Sequence, residues 1–233
     1  EQQLLSGSLA LLVAIMPPVL LCYSLYLFSE LPLALDALLL YVSMDWALQR
    51  RQILGIGHSL SRNQLALARE QADVLLLRES GRLTELGLSK AIIESALLRG
   101  SKLELGVWVW FLLGGGVAAL LYRLLQELGQ QWNCKLADNR YFGKLASVLS
   151  SISATIPIAI ACVILALQYG INRCIRQSRA ARQFFNWPSF YILSCASIAT
   201  GCKLGGPAYY AGEKITRDRF TQQREPGWRD IGM

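Results

Sequence analysis

Long apolar runs separated by short polar stretches dominate the chain. Four of them predict membrane-spanning helices, each needing about 17–25 mostly apolar residues. The first runs from Leu4 to Phe28 with Pro17-Pro18 at its middle, where missing amide donors predict a kink or a break. The second, Leu31 to Leu48, carries Asp36 and Asp45, which are read as structural or helix-end residues because acids inside a bilayer are expensive. The third, Leu105 to Leu125, contains Trp108, Trp110 and Gly114-Gly115-Gly116, a glycine run that permits close helix approach. The fourth covers Ile152 to Tyr169. Phe190 to Leu204 is apolar but short, and reads as a buried or re-entrant segment. Between the second and third spans, Gln64 to Leu98 mixes apolar positions with charges at helical spacing, predicting two or three short helices with Ser89 as an N-cap.

Composition sharpens this into a fold class: an all-α, polytopic integral membrane protein with about four transmembrane helices and a cytoplasmic helical segment. Of 233 residues, 53% are hydrophobic and only 17% charged, well under the quarter typical of soluble domains. The excess of 23 Lys and Arg over 16 Asp and Glu is concentrated in two places. One is the segment 50–103, with Arg50, Arg51, Arg62, Arg69 and further cations. The other is the run Arg173, Arg176, Arg179 and Arg182. The positive-inside rule puts 50–103 and 171–188 in the cytoplasm, predicts a multi-pass inner-membrane protein, and leaves 126–151 outside. The expected organisation is a transmembrane hairpin (1–49), a cytoplasmic helical segment with a candidate site (50–103), two transmembrane helices with an outer loop (104–170) and a basic C-terminal segment (171–233). For the four arginines, contact with anionic lipid of the bilayer is the expected role. The tryptophans Trp108, Trp110 and Trp132 read as interfacial anchors. Six cysteines without a CxxC pair, and the single histidine His58, predict neither zinc nor a disulfide framework. The basic excess is taken as loop charge, not as a nucleic-acid surface. The opening Glu-Gln-Gln reads as the interior of a longer protein.

Three local elements stand out: Arg78-Glu79-Ser80 followed by Leu83 and by Gly87 through Ser95; Leu121-Tyr122-Arg123 with Arg140-Tyr141-Phe142-Gly143 downstream; and Leu204-Gly205-Gly206-Pro207-Ala208-Tyr209, with Asp230-Ile231 near the end. In order and spacing these resemble the CobD/CbiB family of cobalamin-biosynthesis membrane proteins over nearly the whole chain, a family related to the AmpE proteins. That family carries Arg-Asp-Thr where this chain has Arg78-Glu79-Ser80, and Gly-x-x-[Arg/Lys]-Ala-x-x-Glu-Ser where it has Gly87 to Ser95. Asp36 to Tyr41 and Pro157 also match. Where the family continues with Ala-Glu-Asn, this chain has Leu97-Leu98-Arg99, and Ser150-Ser151 replaces an Asp-Asp.

The resemblance implies an amide-forming ligase that joins adenosylcobyric acid, a corrinoid, to aminopropanol or its phosphate using ATP and Mg²⁺. It implies Glu79 and Glu94 as catalytic and Mg²⁺-holding carboxylates, and Arg78, Ser80, Lys90, Arg123, Gly205, Gly206 and Tyr209 as substrate- and phosphate-binding residues. Two further readings stand beside it: a catalytically degenerate, AmpE-like membrane regulator, and a transporter component using Asp36 and Asp45. Self-association into a homo-oligomer is compatible with all three.

Overall fold

Within a bilayer a backbone must satisfy its own polar groups, so uninterrupted apolar runs fold as helices. The first such run does so without a break: α1 (Gln2–Phe28) passes straight through Pro17 and Pro18. The structure, a computed structural model, describes residues 2–76, 81, 83–132, 134, 139, 141–180, 187–206, 208–210, 213–215, 220 and 223–232. Its order is α1, α2 (Pro32–Ser43), α3 (Trp46–Ser61), α4 (Leu65–Leu75), α5 (Glu85–Arg99), a π-helical turn (Gly100–Glu104), α6 (Leu105–Gln131), α7 (Lys144–Tyr169), α8 (Ile171–Ala180) and α9 (Trp187–Thr200). A three-residue antiparallel ladder of β1 (Ala208–Tyr210) and β2 (Glu213–Ile215) and a 3-10 turn (Trp228–Gly232) complete it.

Among the described residues three helices, not four, are long and apolar enough to cross a membrane: α1, the continuous run Glu85–Gln131, and α7. The expected second span, Leu31 to Leu48, is divided. Its α2 has 12 residues, a rise of about 18 Å, and stops where Met44 turns to an extended conformation at φ −91°, ψ 121°. The hydrophobic run continues past that point, but Asp45 is held by Arg123 at 3.2 Å, an interaction no periodicity reveals. The apolar exteriors of the long helices, such as Leu9, Leu12, Val13 and Leu21 on α1 and Ile152, Val163 and Leu167 on α7, are exposed. Such a surface suits lipid, not water.

Two compact units divide the chain. The first comprises residues 1–45 and 102–157, the second 46–101 and 158–233.

The first unit is organised around a break in α6. Gly114 (φ −151°, ψ 21°) and Gly115 (φ 71°, ψ −165°) leave the helical region; the left-handed φ at Gly115 is one that a side chain would strain. The half-helix that restarts at Gly116 has an amide without an intrahelical acceptor. Asp36 of α2 supplies one: its Oδ1 accepts the Gly116 N–H at 2.6 Å and the Tyr26 hydroxyl from α1. A Cβ on Gly116 would lie 2.8 Å from that of Leu39, so α2 and α6 meet backbone to backbone. The expected close approach is real, and the break comes with it.

Below the break, Val107, Ala119 and Tyr122 form a buried core against which Leu40, Trp110 and Phe111 pack. The Tyr122 hydroxyl donates to the Lys102 carbonyl at 2.6 Å, within the π-helical turn, and its ring lies where a Gly106 side chain would be. Trp110 is built into this core, stacked on Tyr122 with Nε1 donating to the Ser153 carbonyl at 3.1 Å, instead of anchoring at an interface as its sequence context suggested. Gln126 joins α6 to α7 through Nε2 and the Ser150 carbonyl at 2.7 Å.

The Asp36 geometry yields a test. Asp36→Asn keeps an Oδ1 acceptor and should change thermal stability in detergent little. Asp36→Ala orphans the Gly116 amide and the Tyr26 hydroxyl and should cost about 1–3 kcal/mol.

Candidate functional site

The second unit contains most of the sequence-predicted site residues that are described. Its central helix, α5, starts at Thr84, whose Oγ1 accepts the Gly87 N–H at 3.2 Å. Ser89, the expected N-cap, is instead a fully buried residue inside the helix. Thr84 followed by Glu85 carries the stronger start signal, a hydroxyl cap with an acid in the first turn. The helix is surrounded: Leu88, Ser89, Ala91, Ile92, Ile93 and Glu94 are all buried. Arg99 at its end donates to the Leu75 carbonyl at 2.6 Å, and Arg69 of α4 donates through Nε and Nη2 to the Leu83 carbonyl at 3.0 and 2.6 Å. These bonds tie α4 to both ends of α5.

An apolar helix delivers the other half of the site. In α9, Phe190, Ile192, Leu193, Cys195 and Ala196 are buried, as the short apolar run predicted. The chain leaves this helix through Gly201 and Cys202 to reach Gly205 and Gly206, both with left-handed φ (79° and 95°) and both buried. At Gly205 the turned backbone aims its N–H at α5, where Glu94 Oε1 accepts it at 2.7 Å. Glu94 is 3% exposed. A carboxylate so deeply buried needs hydrogen-bond donors to be tolerated, and the backbone amide is one.

A returning segment supports this loop. The Phe220 N–H donates to the Leu204 carbonyl at 3.0 Å, the Lys203 N–H to the Arg224 carbonyl at 2.8 Å, and the Arg224 N–H to the Gly201 carbonyl at 3.2 Å. Lys203 Nζ also pairs with Glu225 at 3.0 Å. Arg224 then grips Asp230 through both terminal nitrogens, Nη1 to Oδ2 at 3.0 Å and Nη2 to Oδ1. The Gly227 N–H adds a bond to Oδ2 at 2.8 Å. Burial alone would raise the Asp230 carboxyl, but the Arg224 and Gly227 hydrogen bonds outweigh it and hold the group below the usual carboxylate range. The 3-10 turn carrying Asp230 packs on α3 and α5, with Ile231 buried beside Gly57.

The structure thus joins Glu94 with Gly205, and places Gly206 beside them. Lys90 lies half-buried one helical turn before Glu94. Tyr209 lies in β1 opposite Lys214; its side chain is outside the described residues, as are Arg78, Glu79, Ser80 and Pro207. Arg123 belongs to the first unit, on α6, where it pairs with Asp45 and Glu127 at 3.2 and 3.4 Å. The sequence reading missed the roles of Thr84 and Arg224. Asp230 stood out only as part of an Asp-Ile pair, and no spacing rule connects Arg224 to it. Among the described residues no group of three His, Cys, Asp or Glu side chains is placed to hold a metal ion.

A family model described as "CobD/Cbib protein" matches residues 1–232. The cobalamin biosynthesis protein CobD of Stutzerimonas stutzeri (strain A1501) is 27% identical over 226 residues, 97% of this chain and 75% of that protein. The protein of the same description from Chromobacterium violaceum is 27% identical over 238 residues, covering 98% and 73% respectively. The cobalamin biosynthesis protein CbiB of Salmonella typhimurium is 23% identical over 171 residues, covering 70% and 53%. No solved structure matches the chain.

The Asp230 environment predicts an acid-sensitive unit. A carboxyl held below its unfolded value stabilises the fold above about pH 4, and that stabilisation is lost as the pH falls through its folded value. Asp230→Asn should be less stable than the parent at pH 7 and should flatten this part of the profile. Thermal unfolding in detergent between pH 7 and pH 3 measures both.

Proposed function

The chain belongs to the CobD/CbiB family, and from that premise we propose that it is the amide-forming ligase that attaches an aminoalcohol, or its phosphate, to adenosylcobyric acid. A role in cobalamin biosynthesis follows from the family. One observation carries the finer reading: the Glu94 carboxylate and the Gly205 amide, far apart in sequence and each from a family-like motif, form one buried hydrogen bond.

The chemistry asks for three things. The carboxylate of the corrinoid attacks the terminal phosphorus of ATP, giving an acyl phosphate and ADP. The free amine then attacks the acyl carbon, inorganic phosphate leaves, and the nitrogen gives up a proton. Glu94 is the residue to hold the ammonium form and accept that proton, from an environment that excludes water and strengthens each electrostatic contact. Lys90, one turn away, supplies charge for phosphate oxygens, as Arg78 and Ser80 do in the sequence motif. The neighbouring Gly205-Gly206 backbone lets a ligand approach closely.

Mg²⁺ would be held by Glu94 and Glu79 and would neutralise phosphate charge during transfer. A Mg²⁺ site of one or two protein carboxylates plus substrate phosphates is the common arrangement, and the hard oxygen donors of Glu94 and Glu79 are of the type it needs. The inner-membrane location, with 50–103 and 171–188 in the cytoplasm, belongs to the same reading, since it puts Lys90 and Glu94 on the side where ATP is found.

The regulator reading rests on one observation. Arg99, standing where the family has a polar Asn-containing stretch, is committed to the Leu75 carbonyl and so serves packing. The transporter reading is weaker, because Asp36 has a backbone amide and a tyrosine hydroxyl as donors and Asp45 has Arg123.

Complementation of a synthase-deficient strain separates these. The parent, expressed with whatever precedes Glu1 in its gene, should restore growth on cobyric acid. Glu94→Gln keeps an oxygen for the Gly205 N–H, so it should insert and fold while losing about 10²–10⁴-fold in amide formation in membranes. A parent that inserts normally but never complements favours the regulator, and a fully active Glu94→Gln removes Glu94 from the chemistry.

A further inference from the structure

The loop that carries Gly205 is supported by an arginine whose geometry exceeds what support requires. Elsewhere in the second unit, arginines turn donors onto backbone carbonyls, Arg69 onto Leu83 and Arg99 onto Leu75. Lys203 is paired with Glu225. Arg224 differs. Its guanidinium is gripped edge-on by a carboxylate that is itself 2% exposed, while its own side chain remains 57% exposed. Two of its N–H donors face Asp230, and three of the five a guanidinium carries have no acceptor among the described residues.

Asp230 is in turn locked by the Gly227 N–H, and the Cys202 thiol lies against it. The backbone of Arg224 is woven to Gly201 and Lys203, so it is anchored within a few residues of Gly205. An exposed arginine ordinarily samples many rotamers and binds anions weakly, because ordering it costs side-chain entropy. Here that ordering is done before a ligand arrives, and the open edge presents parallel N–H groups, the form that suits phosphate oxygens.

We propose that Arg224 is a phosphate-binding residue of the Glu94–Gly205 site and that Asp230 is its positioning residue. The proposal rests on the ligase reading for the identity of the ligand. Two phosphates enter that reaction: the monoester on the amine substrate and the terminal phosphates of ATP. The chemistry at Arg224 is the same for either, and the monoester is the one expected, because its recognition would distinguish aminopropanol phosphate from free aminopropanol.

Steady-state kinetics of the full chain in membranes, with aminopropanol phosphate, free aminopropanol and ATP varied in turn, provides the test. Arg224→Lys keeps the charge but loses the fork. It should raise KM for aminopropanol phosphate at least tenfold while KM for free aminopropanol stays within twofold and kcat changes little. Asp230→Asn, which frees the fork, should shift the same KM in the same direction by a smaller factor. A rise confined to KM for ATP supports the phosphate role and assigns it to the nucleotide. Equal loss with both amines and an unchanged KM for ATP, or no change with any substrate, overturns the proposal. If the parent forms no amide with either amine, the ligase reading fails, and titration calorimetry of the purified chain decides Arg224 separately. Binding of inorganic phosphate or aminopropanol phosphate that is weakened tenfold by Arg224→Lys supports the site, and absence of such binding overturns it.

Discussion

A carboxylate accepting a backbone amide is the interaction on which both units depend. Wherever a helix is interrupted away from water, an N–H loses its partner, and leaving it unpaired costs about as much as a single mutation that can unfold a marginal protein. The chain answers twice in the same way. Asp36 takes the amide of Gly116 where α6 breaks, and Glu94 takes the amide of Gly205 where the chain turns after α9. The bargain is mutual, since an acid in a low-dielectric interior needs donors as much as the amide needs an acceptor. A half-helix start adds to the effect, because the positive end of its peptide dipoles faces the acid.

Polar contacts elsewhere follow the same logic on a smaller scale. Tyr122 reaches the carbonyl of Lys102 in the π-helical turn, Trp110 that of Ser153, and Gln126 that of Ser150. Between membrane helices such bonds are individually modest. They fix rotation and register, which apolar contact alone leaves loose. Gly106 beneath the Tyr122 ring shows how tightly that register is set.

The sequence was most informative where periodicity and length carry the signal. α1 and α7 match apolar runs, α9 is the buried helix its short run implied, and Glu94 and Gly205, singled out by separate motifs, meet in one hydrogen bond. It was least informative where a distant partner decides. Nothing local distinguishes Leu31–Leu48 from a full span, because the turn at Met44 goes with an ion pair to Arg123, 78 residues away. Gly114-Gly115-Gly116 could as well have been a smooth contact surface; only Asp36 lying opposite makes a break affordable. At α5, Ser89 and Thr84 are both acceptable caps by type, and what separates them is that Ser89 is enclosed by packing. Arg224 lies among polar residues with no spacing signal, and its role comes wholly from being paired with Asp230.

The Glu94–Gly205 bond also constrains the order in which the protein is made. Its partners are 111 residues apart, and the loop that holds Gly205 is pinned by Arg224 and, through it, by Asp230. During synthesis α5 must therefore wait for its Gly205 partner until the chain through residue 230 has emerged. Contacts of such long sequence separation form late and slowly. For much of its biogenesis this protein is a set of inserted helices whose second unit is still open, and for that interval a chaperone or protease would meet α5 before the Gly205 loop has joined it.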